Sequence, residues 1–168
     1  VTFYDQRGCG ASKHTEFTKE LINLKQYVDD LEDIIGSLGH EKVFIIAHSW
    51  GAKLAIEYVN THKDKVEKII FVAPVPMNKE GQEAFMSDFV IPRMEMFRIF
   101  ADKELITNSN DNELEAGFRK IYAEYLWDKN NTQHLTLKVS KEGSLRTAQV
   151  QELMYQDPLL NNKDFMAK

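Results

Sequence analysis

The chain has 168 residues, and its 21 Lys and Arg against 26 Asp and Glu leave a net charge of −5. That length holds one compact domain, or one domain with a lid, and the acidic balance argues against a polyphosphate-binding surface and hence against nucleic acid as a partner. A hydrophobic share of 43% supports a core, while the single cysteine, Cys9, excludes an internal disulfide and a cysteine-based zinc site.

Residues 1–4 form a short apolar, β-prone run that reads as a strand, and an opening on Val1 inside such a run reads as a piece of something longer. Residues 5–12, Asp-Gln-Arg-Gly-Cys-Gly-Ala-Ser, read as a loop because Gly8 and Gly10 permit backbone angles closed to other residues. Next comes an i, i+3, i+4, i+7 stripe of Leu24, Tyr27, Val28, Leu31, Ile34, Ile35 and Leu38, which predicts an amphipathic helix. Asn23, with Gln26 three residues on, makes a capping box at its start, and Gly39 is placed to end it. Residues 43–47 are continuously apolar and rich in β-branched side chains, which predicts a parallel strand buried on both faces. A second helix is expected over residues 50–61 and another buried strand over 69–73, stopped by Pro74 and Pro76.

Residues 1–76 therefore alternate strand and helix, the pattern of βαβ units and a parallel sheet. Residues 77–168 change character and read as a small helical subdomain. Its stripes are Phe85, Phe89 and Met96, then Leu114, Phe118, Ile121, Tyr122, Tyr125 and Leu126, then Leu145, Ala148 and Leu153. Pro92 is expected to end or kink the first of these helices, residues 108–112 and 128–132 read as loops, and only 134–139 has strand character. No apolar run reaches the roughly 18 residues of a membrane-spanning helix, and one cysteine fits a reducing, cytoplasmic setting.

The most informative stretch is Ala47-His48-Ser49-Trp50-Gly51, set between the apolar strand and the second helix. A small-x-Ser-x-small sequence in that context is a nucleophile elbow, in which a sharp turn pushes the serine hydroxyl out above the sheet edge. Small residues at 47 and 51 are expected to let neighbouring backbone approach. The helix that follows turns its N-terminal dipole and free N–H groups toward the site, so that the backbone N–H of Trp50 donates to an oxyanion on the substrate. The competing reading is that Ser49 is a turn residue capping a helix. The flanking strand and helix favour the nucleophile.

Together, the loop at residues 5–12 and the stretch His48-Ser49-Trp50-Gly51-Ala52-Lys53-Leu54-Ala55 resemble α/β-hydrolases, and more narrowly the proline iminopeptidase (prolyl aminopeptidase, peptidase S33) group. The resemblance covers about residues 1–75, and Ala47 replaces the Gly more common at the first elbow position. It implies a partial α/β-hydrolase fold, with residues 1–76 the central part of the core and 77–168 a helical cap. It also implies that Ser49 is the catalytic nucleophile, that Trp50 contributes to the oxyanion hole, and that Asp5 and Arg7 are structural and paired through polar contacts. No cofactor or metal is implied, and the substrate is a small peptide or ester. The acid and histidine of such an enzyme follow the cap, so the resemblance places both outside these 168 residues.

Each histidine has a plainer reading than catalytic base. His40 and His62 sit at helix ends near terminal carbonyls, His48 packs beside the elbow, His14 lies in a loop and His134 on the cap surface. Two further functions share the sequence features: a carboxylesterase or lactonase with a different cap pocket, and a non-catalytic ligand-binding or interaction module. Dehalogenase and epoxide-hydrolase chemistry is disfavoured because those relatives carry Asp where Ser49 stands. The oligomeric state is not legible.

Overall fold

The computed structural model describes residues 1–14 and 16–159. The chain divides into two compact units, Val1–Thr15 with Asp88–Glu152, and Glu16–Ser87 with the chain from Leu153.

In the second of these, helix α1 spans Leu24–Ser37 and buries Leu24, Tyr27, Val28 and Ile35. Asn23 caps it by accepting the Gln26 N–H at 3.0 Å, and Gly39, at φ +68°, takes the left-handed conformation that ends helices. The capping box is only half formed, because the Gln26 side chain donates to Asp29 instead. A different residue completes the cap: buried Asp157 accepts the Leu24 N–H at 2.6 Å, from 133 positions away.

Strands β1 (Val43–His48) and β2 (Val66–Val72) pair in parallel, with Ile45 opposite Ile69, Ala47 opposite Phe71 and His48 opposite Val72. Helix α2 (Gly51–Thr61) connects them and lies on one face of the sheet, where Ala52 and Ala55 meet Ala47, flanked by Ile45, Ile69 and Met77. Three alanines at this contact let helix and strand approach closely. The expectation that β1 is buried on both faces is corrected. Phe44 and Ile46 are each 66% exposed and alternate with the covered Ile45 and Ala47, because α2 covers only one side of this two-stranded sheet. Residues 1–4 form no strand, and Val1 and Phe3 are exposed. A β-prone run becomes a strand only with a partner to pair with.

Helix α3 (Lys79–Phe85) is capped by Asn78, whose side chain accepts the Gly81 N–H at 2.8 Å. Beyond it the winding loosens into a π-turn, Met86–Val90, and a 3₁₀ turn, Ile91–Arg93, that contains Pro92. The break expected at Pro92 is present and begins a turn earlier.

The other unit is helical: α4 (Met94–Phe97), α5 (Lys103–Asn108), α6 (Asp111–Ala123) and α7, which begins within it and spans Lys141–Tyr155. Its core is Ile99, Ile106, Leu114, Ile121 and Ala148, with Phe100, Phe118 and Val139 packed against it. Asp102 caps α5, and Asn110 with Glu113 forms a complete capping box on α6. The strand character of residues 134–139 is not realised. His134 closes a 3₁₀ turn, Lys129–His134, and the chain after it is irregular up to α7. Among the described residues no helix is long and apolar enough to cross a membrane.

Candidate active site

β1 ends at His48 and α2 begins at Gly51, so two residues turn the chain from strand to helix. Ser49 takes φ +53°, one of two positive values among the described non-glycine residues. A left-handed L-residue costs roughly 1–2 kcal/mol, and such strain persists only where the surroundings over-determine it. Here they do. The Ser49 N–H donates to the Val72 carbonyl at 3.1 Å, and the Ser49 carbonyl accepts from the Ala52 N–H at 3.1 Å and the Val75 N–H at 3.3 Å. Ser49 itself is half-buried at the C-terminal end of a parallel strand.

Helix α2 has no side-chain cap, so the helix-cap reading of Ser49 does not describe this turn. Ala52 and Lys53 direct their N–H groups back to the Ser49 and Trp50 carbonyls, which leaves the Trp50 and Gly51 N–H groups outside the helix's own hydrogen bonding. Among the described residues they are orphan donors, at the positive end of an eleven-residue helix. The Trp50 ring meets Tyr27 of α1 edge to face, with ring centres 5.5 Å apart, which anchors Trp50 to α1. Smallness matters at only one of the two expected positions. Ala47 is buried beneath α2, whereas a Cβ on Gly51 meets nothing within 4 Å.

A cluster of titratable groups lies at the other end of α2, beside the start of β2, and serves the framework. Tyr58 of α2 is fully buried and donates to Glu32 of α1 at 2.6 Å. Lys65 also donates to Glu32. The Lys65 hydrogen bond first, and then that of Tyr58, hold the Glu32 carboxyl below its usual range. Burial and the carboxylate push the Tyr58 phenol up. His62 sits at the end of α2 as expected, its N–H donating to the Tyr58 carbonyl at 2.7 Å, and its ring stacks on Tyr58 at 4.6 Å with Nε2 3.8 Å from Glu32. His48, expected to pack, is exposed. Within its own compact unit the Ser49 hydroxyl has no histidine or carboxylate hydrogen-bond partner among the described residues.

The loop at residues 5–12 folds as a turn in the helical unit, with the Gly8 N–H donating to the Ser12 carbonyl at 2.8 Å. The Asp5 carboxylate accepts the Ala11 N–H at 2.8 Å, and at Gly10, φ +49°, an added Cβ would lie 2.2 Å from Asp5 Cγ. Asp5 is therefore structural. Burial, and then Asp5, push the Cys9 thiol up against the opposing effect of Arg146, and this upward shift lowers its share of reactive thiolate. Among the described residues no group of three or more His, Cys, Asp or Glu is placed to hold a metal ion. Sequence reasoning missed the backbone partners Val72 and Val75 and the Asp157 clasp. The Ala73-Pro74 step after an apolar strand was the available signal for the first, and nothing local marks the second.

A parallel βαβ unit with a left-handed serine between strand and helix defines part of an α/β-hydrolase fold. Sequence comparison agrees with that class, because the serine aminopeptidase S33 family profile matches residues 1–167. The chain belongs to that family. Among its relatives, the proline iminopeptidase of Heyndrickxia coagulans is 26% identical over 158 residues, 92% of this chain and 53% of that protein. Epoxide hydrolase B of Mycobacterium tuberculosis is 31% identical over 81 residues, 48% of this chain and 22% of that protein. The proline iminopeptidase of Neisseria gonorrhoeae is 33% identical over 70 residues, 42% of this chain and 22% of that protein. The chain spans about half the length, or less, of these curated relatives. No solved structure gives a significant match.

Proposed function

We propose that Ser49 is the nucleophile of a serine hydrolase that releases N-terminal proline from short peptides. The observation that carries this reading is the strained turn, a positive φ at a serine between a parallel strand and a helix with orphan N–H donors. Ser49 Oγ bonds to the prolyl carbonyl carbon as its proton passes to a general base. The carbonyl oxygen becomes an oxyanion and accepts the Trp50 N–H. Collapse breaks the C–N bond, the departing amine takes the proton, and water then hydrolyses the acyl-serine ester. An oxyanion donor of this kind is worth about 10² to 10³ in rate. The acid and base are read as following Ser49 in the order Ser, acid, His.

The choice of proline peptides rests on the S33 family match and on the proline iminopeptidases among the relatives. The epoxide hydrolase relative raises a second chemistry, and the hydroxyl at the elbow favours acyl transfer over it. A cytoplasmic setting suits the single cysteine.

The test is turnover of proline arylamides and short aryl esters by the protein expressed from its natural reading frame, beside its Ser49→Ala variant. Prolyl turnover that Ser49→Ala abolishes is the expected result. Turnover indifferent to Ser49→Ala overturns the assignment, and ester turnover without prolyl turnover transfers it to the esterase reading.

A further inference from the structure

We propose that the segment from Val72 to Val75, at the end of β2, is a two-point backbone clamp that positions the nucleophile. The inference rests on the reading of Ser49 just given. Both main-chain groups of Ser49 are tied to this one segment, the N–H to the Val72 carbonyl at 3.1 Å and the carbonyl to the Val75 N–H at 3.3 Å. In a regular parallel ladder one residue's two bonds go to residues two positions apart on the neighbouring strand, whereas Val72 and Val75 are three apart, so the segment accommodates one extra residue. The segment succeeds because it reverses at Ala73, the other described non-glycine residue with positive φ, at +41°. Pro74 follows with its φ fixed and no N–H of its own, so Val75 is the next donor. The left-handed conformer at Ala73 thus supports the one at Ser49 across two hydrogen bonds.

The clamp accounts for two features together. The strand register ends at His48 opposite Val72, one residue before each strained position. The Ser49 carbonyl also accepts two donors, from Ala52 within the elbow and Val75 from outside it. The second donor fixes the peptide plane that joins Ser49 to Trp50, and with it the direction of the Trp50 N–H. Val75 is therefore a positioning residue. It touches no reacting atom and acts through the orientation of the hydroxyl and of the oxyanion donor.

The test removes the Val75 N–H and keeps the rest. Val75→Pro deletes the donor, and Val75→Ala trims the side chain but retains it. Amide exchange at Ser49 reads the clamp itself, and kcat per titrated active site reads its consequence. In Val75→Pro the Ser49 amide exchanges faster, and kcat falls about 10- to 100-fold with KM within about threefold, as expected for a misplaced reacting group. Val75→Ala leaves both readings near the parent values. If Val75→Pro does not fold, an ester linkage in place of the Val75 amide removes the same donor with the side chain intact and is expected to give the same changes. Unchanged Ser49 exchange, an unchanged kcat per site, or an equal fall in Val75→Ala overturns the clamp. Faster Ser49 exchange in a protein whose turnover ignores Ser49→Ala keeps the clamp and overturns the hydrolase reading instead.

Discussion

The strand ends around Ser49 and the helical unit from Asp88 to Glu152 are built in opposite ways. In the helical unit local rules agree with the fold. Asn110 and Glu113 cap α6, Asp102 caps α5, and apolar side chains recurring at helical spacing meet in one core. At the strand ends the local rules are broken, with Ser49 and Ala73 at positive φ and three backbone hydrogen bonds on Ser49. A sequence that obeys its propensities in one region and violates them in another marks the second as the place where geometry serves something other than stability.

The sharpest way to break this comparison is to damage the region that is stable for its own sake. Leu114 of α6 is fully buried in the helical core. Leu114→Ala is expected to cost about 2–5 kcal/mol, from lost burial and the cavity left behind. Urea titration measures the cost, and amide exchange locates it. Exchange should rise first in α5 and α6. A loss appearing equally at β1 and β2 would show that the two regions do not differ in the way described.

A smaller effect sharpens the contrast within the unit that holds the elbow. Glu32 takes hydrogen bonds from Tyr58 and Lys65, which ties α1 to α2 and to the turn before β2. Removing its charge with Glu32→Gln is expected to cost about 1–3 kcal/mol near neutral pH. Its carboxyl is held below the ordinary range in the folded protein. The stabilisation is therefore fully present above the unfolded carboxyl pKa of about 4.3, and it disappears as pH falls through the lower folded value. Urea titrations of the parent and Glu32→Gln should differ near neutrality and converge in acid. A difference that persists unchanged in acid would assign the effect to packing.

How far each region was legible follows from the range of the forces that shape it. The start of α1 and the position of β1 were visible because Asn23 caps its own neighbour and the run at 43–47 is contiguous. The turn at Ser49 was visible because strand, small residues and helix adjoin it. Burial was misjudged at Phe44 and Ile46, since a strand's second face depends on what lies against it and not on its own composition. The strand expected at residues 1–4 failed for the same reason. The Val72 and Val75 bonds were invisible because they are made by backbone atoms more than twenty positions from Ser49, and the Asp157 clasp reaches 133 positions. The first leaves only the Ala73-Pro74 step as a trace, and the second leaves none.

The smallest prediction puts one substitution into both regions. Glycine in place of exposed Ala116, in the interior of α6, should destabilise by about 1 kcal/mol, the ordinary loss of helix propensity. Glycine in place of Ser49 should act with the opposite sign. It relieves a left-handed conformer worth about 1–2 kcal/mol and concedes about 0.5–1 kcal/mol of backbone entropy, a net gain of up to about 1.5 kcal/mol and centred nearer half that. Each kcal/mol gained raises Tm by about 2–4 °C for a chain of this size, while removal of the hydroxyl ends any turnover that depends on it. Ala73→Gly should gain a similar amount. The double variant should gain less than the sum, because each residue is held in its strained state partly by the other. Calorimetry on the four variants decides the matter: a Ser49→Gly protein no more stable than its parent would mean that the hydroxyl or the clamp already compensates the strain, and the two regions would then differ in geometry but not in energy.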